Sequence, residues 1–320
     1  MLIMQKRKIG NSDLEVAPLT LGTNVFGWTI DEKKAFEILD GFVTAGFNLI
    51  DTADSYSTWV PGNKGGESET IIGNWMKKRS ARGKVIIATK VGSDMGQGKK
   101  DISKKYILKA VEDSLTRLQT DHIDLYQTHW DVAEVPVEET LEAYSQLVKD
   151  GKVRWIGASN LSAERLKASI EASKKHGYPR YQSFQPLYNL YERESFEKEL
   201  EQVCMENGLG VINYYSLASG FLTGKYRSEN DLQKSARGGG VKKYLNDKGM
   251  KILVVLDTLA LKYNTEPAGI AIAWLIARPS VTAPIASATS LPQLKVLTEA
   301  AAIQLKKEDV EILNEVSEWR

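Results

Sequence analysis

Short apolar segments alternate with helix-patterned ones along nearly the whole chain, and that alternation most narrows the fold. LTLGT is followed by KKAFEILDGFVTAG, where Phe36, Leu39, Phe42 and Val43 form an i, i+3, i+6, i+7 stripe that stops at Gly46. NLIDTA precedes GESETIIGNWMKKR, VIIATKVG precedes KYILKAVEDSLTRLQT, and IDLYQTHW precedes VEETLEAYSQLVKDG. VRWIGASN leads into LSAERLKASIEASKKHG, with Ser162 as N-cap and Gly177 as the stop. YQSFQPLYN is then paired with the helix SFEKELEQVCMENG, and GVINYYSLA with the helix around MKILVVLDTLALKYN. PAGIAIAWLIARP, TAPIASAT and LPQLKVLTEAA complete the series. About eight strand–helix units result, at the roughly 30-residue spacing of a βαβ unit. Ahead of them, KRKIGNSDLEVAPLTLG reads as a hairpin turning at Gly10, Asn11 and Asp13. The expected fold is α/β: one (β/α)8 TIM barrel domain over 1–320 with an N-terminal hairpin.

Two long segments break the rhythm, SYSTWVPGNKGGESE and TGKYRSENDLQKSARGGGVKKYLNDKG. Both leave the C-terminal ends of strands, the face on which barrels do chemistry, so both are read as functional loops.

Bulk properties exclude several classes. Lys+Arg 42 against Asp+Glu 41 leaves +1, which gives no footprint for nucleic acid or an acidic membrane. No apolar run is long enough to cross a bilayer, and MLIMQKRKIG lacks the apolar core of a secretory signal. A lone Cys204 forms no internal disulfide and reads as an inert core residue, so a cytoplasmic protein is expected. His122, His129 and His176 show no metal-ligand spacing, and no metal is expected. No nucleophile elbow, Walker loop or strand-led G-x-G-x-x-G occurs, and GQG at 96–98 sits in a polar loop.

Chemistry concentrates where three consecutive strands end: Asp51 and Tyr56 in NLIDTADSY, Lys90 in VIIATKVG, His129 in IDLYQTHW. In a parallel barrel these ends share one mouth. A tyrosine with an ordinary pKa of about 10 is a sluggish acid, and an adjacent ammonium is expected to lower that value by roughly 1–3 units. Lys90 suits that role if Asp51 fixes it, and His129 suits a hydrogen bond to a substrate oxygen or a proton relay. The set fits protonation of an oxygen that turns negative as hydride adds to its carbon. Any one of these residues alone is more often part of a buried hydrogen-bonded pair; the four together point to catalysis.

IDTADSY, ATKVG and LYQTHW, in this order and spacing, resemble the catalytic segments of the aldo-keto reductase superfamily. The resemblance runs through essentially the whole chain, with GKVRWIGASN, FQPLYN and SLASGFLTGKY similar to the family's cofactor-contacting segments. The long loops look closest to bacterial members related to potassium-channel β subunits. The resemblance implies an NAD(P)H-dependent oxidoreductase that reduces aldehydes or ketones to alcohols. Tyr56 would be its general acid, Lys90 and Asp51 the tuning pair, and His129 the group that orients the carbonyl.

Ser159, Asn160 and Gln185 would hold the nicotinamide carboxamide, and Tyr214 would stack on its ring. Leu217 to Lys225 would follow the pyrophosphate, with Gly220 allowing close backbone approach. Gly22, Thr23, Ser216, Arg237, Ser287, Thr289 and Gln293 complete the implied cofactor set. From the residues alone, Tyr214 reads equally as core packing and Gln185 as a solvated loop residue.

One stretch departs from the family pattern. In PIASATSLPQLKVL, Thr289 stands where related members often carry Arg, and Ser290 where they often carry Asn. Lys295 is the nearest cation, and hydroxyls on Ser287, Thr289 and Ser290 or the basic loop of Lys225, Arg227 and Arg237 are the substitutes. NADP is the expected cofactor, with NAD the alternative.

Trp28, Trp59 and Trp130 lie just past strand ends and are expected to wall the substrate pocket with Phe26, whereas Trp75, Trp155 and Trp274 read as core. The expected partner is a small carbonyl compound, with self-association left open. A competing reading is a nicotinamide-binding regulatory subunit resembling potassium-channel β subunits. A metal-dependent barrel hydrolase fails on histidine count.

Overall fold

Strands with two apolar faces need cover inside and out, and here they roll into a ring that supplies both. The structure, a computed structural model, describes residues 5–319. Met1 to Met4, part of the stretch expected to lack a secretory signal, and Arg320 lie outside the described residues. The chain opens with an antiparallel hairpin of β1 (Arg7–Lys8) and β2 (Glu15–Val16). Among the described residues, an 8-stranded parallel sheet follows, begun by β3 (Thr20–Gly22), β4 (Leu49–Asp51), β5 (Ile86–Val91) and β6 (Ile123–Thr128). It continues through β7 (Val153–Ser159), β8 (Tyr181–Gln185), β9 (Gly210–Val211) and β10 (Ile285–Ala286), which returns to pair with β3. The final seam is short: Val281 bridges Val211, and the amides of Thr282 and Ile285 donate to the carbonyls of Val211 and Asn213.

Helices α1 (Glu32–Thr44), α2 (Glu67–Arg79), α3 (Lys104–Leu118), α4 (Val137–Lys149) and α5 (Ala163–His176) fall where periodicity put them. Ser162 caps α5 by accepting from the Arg165 amide, and Gly177 ends it at a left-handed φ of 68°. The next helix differs from expectation. SFEKELEQVCMENG is split into α6 (Glu194–Glu197) and α7 (Leu200–Glu206). Arg193 anchors the first piece, its guanidinium holding Glu197 on one side and Asn314 O and Ser317 Oγ on the other. Helices α8 (Asp247–Lys262), α9 (Pro267–Ala277), α10 (Leu291–Ala300) and α11 (Lys307–Val316) complete the outer layer. None of the described helices is long and apolar enough to cross a membrane.

The hairpin plugs the barrel floor. Ile9, Leu14 and Val16 are buried against the inward-facing Leu49, Ala88, Leu125 and Ile212. Each such side chain contributes roughly 1.5–3 kcal/mol by leaving water. Trp155 joins this floor only half-buried, its indole donating to Asp13 Oδ1, so it is not the core tryptophan expected; Trp75 and Trp274 are. The second long loop is folded rather than loose. Its turns at Glu229–Lys234 and Gly238–Tyr244 are pinned by buried Tyr226, Val241 and Tyr244, the last donating to Glu192 Oε2 at 2.8 Å.

Candidate active site

Period-2 alternation decides which strand residues face inward. Leu49, Ala88 and Leu125 belong to the inner cluster, so Asp51, Lys90 and Gln127, two residues on, also point inward at the barrel's other end. Lys90 and Asp51 are almost wholly buried, with Nζ 2.7 Å from Asp51 Oδ2. The same ammonium donates to Thr52 O at 2.7 Å and to Tyr56 Oη at 2.8 Å. Its three protons are therefore all committed. Gln185 Nε2 donates to Asp51 Oδ1 at 2.9 Å, and Tyr56 Oη lies 3.2 Å from Oδ2. Since Tyr56 Oη accepts from Lys90, its own proton is free to go to Asp51 or to a group in the cavity above.

The expected depression of the Tyr56 pKa is not found. Burial and the Asp51 carboxylate push it well above the ordinary value. Burial is the larger cause, and Asp51, paired at short range with Lys90, adds its own charge and a hydrogen bond to the phenol. Tyr56 thus holds its proton at neutral pH, and Lys90 is placed to stabilise the phenolate left after transfer. His129 is pushed well below its usual pKa by burial and then by Lys90, so its ring is neutral. Ser93 Oγ engages Nδ1 at 3.0 Å, which leaves Nε2 for a ligand.

The mouth opens into a cavity of about 1020 Å³, lined by Asp51, Tyr56 and His129 and by most of the proposed cofactor set: Gly22, Ser159, Asn160, Gln185, Tyr214, Ser216, Leu217, Gly220, Lys225, Arg237, Ser287, Thr289 and Gln293. Thr23 does not line it; its hydroxyl donates to Asp51 O from below and receives Ser68 Oγ. Tyr214 is fixed by its hydroxyl donating to Asn160 Oδ1 at 2.9 Å, so it is both a wall of the cavity and packed on the inner core cluster. Gln185 is buried rather than solvated. Gly220 has a φ of 95°, and an added Cβ would meet nothing closer than Lys225 at 3.7 Å, so backbone conformation rather than crowding calls for glycine. At Gly22 the reverse holds, since a Cβ would lie 2.7 Å from Ile285 Cγ2.

Trp28, Trp59 and Trp130 line the cavity, Trp28 and Trp59 meeting edge to face and Trp130 stacking beside His129. Phe26 does not join them. Its ring is fully buried in the core, and its carbonyl instead accepts Ser57 Oγ, anchoring the loop that carries Tyr56. Sequence reading also missed Asn24, whose Oδ1 receives both Arg237 Nη2 and Ser287 Oγ, as well as Ser93, Gln127 and Glu266. Gln127 was findable, because it shares the inward phase of Leu125 and His129.

Behind the barrel wall, the buried carboxyl of Asp54 has no hydrogen-bond partner among the described residues. Burial, then the Glu69 carboxylate, raises its pKa to about 8. A carboxyl raised in the fold leaves the native state increasingly penalised as pH climbs from the unfolded value to the folded one. Asp54→Asn is therefore expected to gain stability on the parent by a few kcal/mol between pH 5 and pH 8, read as melting temperature against pH. A difference that stays flat across that window would show that Asp54 meets a counter-charge.

A sequence model described as Aldo/keto reductase family matches residues 18–318. The chain is 32% identical to "Protein tas" of Escherichia coli (strain K12), with 98% of each chain covered. It is 36% identical to "Uncharacterized oxidoreductase YrpG" of Bacillus subtilis (strain 168), over 98% of this chain and 96% of that protein. To "Aldo-keto reductase YhdN" of the same organism it is 32% identical, over 98% and 94%.

Proposed function

Because the chain belongs to the aldo/keto reductase family, we propose that it reduces aldehydes or ketones to alcohols with NADH or NADPH, Tyr56 supplying the proton. The observation that carries this reading is the Tyr56 hydroxyl, held at 2.8 Å by Lys90 Nζ on the floor of the cavity. The cofactor fits the residues present. Ser159, Asn160 and Gln185 offer polar edges for a carboxamide, the anchored Tyr214 ring offers a flat face, and Lys225 lines the run towards the pyrophosphate. When bound, it supplies hydride to the carbonyl carbon.

The chain's own residues do the rest. Neutral His129 donates from Nε2 to the carbonyl oxygen and orients it, with Ser93 fixing the ring. As that oxygen becomes an alkoxide, a base far stronger than a phenolate, it takes the proton from Tyr56 Oη. Lys90 then stabilises the phenolate through the bond it already makes, so no reorganisation is needed. Asp51 keeps Lys90 in place, and Gln185 keeps Asp51 in place. The three tryptophans favour substrates with an apolar or aromatic body.

A steady-state panel of aromatic and aliphatic aldehydes, followed by loss of reduced-nicotinamide absorbance, tests the reading. Turnover is expected, and faster with the aromatic members. Cofactor binding without turnover anywhere in the panel would instead favour the regulatory-subunit reading.

A further inference from the structure

The cavity has two chemically unlike ends. Tyr56 and His129 mark one. On the opposite side of the ring, near the starts of α9 and α10, the lining is Glu266, Ala268, Thr289, Gln293, Val296 and Leu297. A dinucleotide with its reactive ring at the first end places its adenosine at the second. On the reading that such a cofactor lies along this cavity, we propose that the far end selects NAD(H) over NADP(H), the Glu266 carboxylate accepting hydrogen bonds from the adenosine ribose hydroxyls.

Three observations support the choice. The cations expected to replace the missing arginine are elsewhere. Arg227 is bound to Gly224 O and Asp257, each at 2.7 Å, and does not line the cavity. Lys295 is 72% exposed and faces Glu299 on α10. Arg237 is committed to Asn24, whose Oδ1 also receives Ser287 Oγ, and it lies over the Trp28 ring. Lys225 is the lining ammonium that remains, and it sits over the Tyr226 ring beside Gly220.

Secondly, Thr289 and Gln293 occupy each other. Both the amide and the hydroxyl of Thr289 donate to Gln293 Oε1, at 2.9 and 3.0 Å. Both Thr289 donors are thereby taken, so a phosphate arriving there would have to break those bonds to engage Thr289. Thirdly, Glu266 lines the cavity at the start of α9 and forms no ion pair among the described residues. A carboxylate suits a neutral diol and repels a dianion, while Ala268, Val296 and Leu297 suit the face of a base. Each missing charge-assisted contact to the phosphate forfeits roughly ten- to a hundredfold in affinity. On this proposal NAD(H), the alternative cofactor, takes the place of the expected NADP.

Fluorescence titration of the full chain with NADH and NADPH tests the proposal without reference to turnover. NADH is expected to bind about tenfold or more tighter. Glu266→Gln, at an exposed helix start that makes no side-chain cap, should tighten NADPH several-fold and narrow the ratio. Thr289→Arg should narrow it further, and melting curves of both variants verify that they fold like the parent. NADPH binding as tightly as NADH overturns the selectivity and leaves the reductase reading intact. Binding of neither removes both. An unchanged ratio in Glu266→Gln overturns the assignment to Glu266.

Discussion

Tyr56→Phe is expected to cut turnover by roughly a hundred- to ten-thousandfold while cofactor affinity stays within a few-fold of the parent. The substitution deletes one oxygen. What goes with it is the proton that neutralises the alkoxide and the atom through which Lys90 stabilises the charge left behind. The ring itself is kept, together with its contacts to Trp59 and His129. The fold should therefore persist, and the loss should fall on kcat rather than on cofactor binding. Single-turnover rates beside a cofactor titration separate the two quantities. A variant that reduces substrate at a comparable rate would show that the proton comes from elsewhere, with His129 the remaining candidate.

Lys90→Met should damage both stability and chemistry. Removing one partner of a buried ion pair strands the other, and the typical cost is about 3–5 kcal/mol. Here Asp51 would keep only Gln185, a long contact from Gln127, and Tyr56. Thr52 O would lose its donor as well. On the chemical side the phenolate would lose its ammonium and be left beside an unopposed carboxylate. The Tyr56 pKa, already raised by burial and Asp51, moves further up, so turnover falls and the alkaline limb of the pH–rate profile shifts to higher pH. A lower melting temperature with an unchanged profile would make Lys90 a structural residue only.

Much of this site was legible before any coordinates. Asp51, Tyr56, Lys90 and His129 were placed by one argument, that polar residues at the ends of successive parallel strands share a mouth, and the structure brings them together. That argument is local. It needs only the period of a strand and the direction of the chain. What it missed depended on distances between segments remote in sequence. Phe26 looked like a pocket residue because it follows a strand end, but its ring turns into the core. Arg237 was read as part of a phosphate grip because its loop is basic, and the loop folds so that it lines the cavity and reaches Asn24. Asn24 and Glu266 carry no pattern of their own, and only packing brings them to the cavity wall.

The sequence by itself determined the alternation of strands and helices, the opening hairpin and the run of polar groups at three successive strand ends. Those follow from hydrophobic periodicity, which every short window of the chain expresses. Tertiary structure decided the charge state of the site and the character of the cavity's far end. A pKa depends on burial and on every charge nearby, and for Tyr56 burial first and Asp51 second drive it upward beside an ammonium that would lower it. Likewise, where Lys225, Arg227, Arg237 and Lys295 stand relative to that end depends on how segments remote in sequence pack.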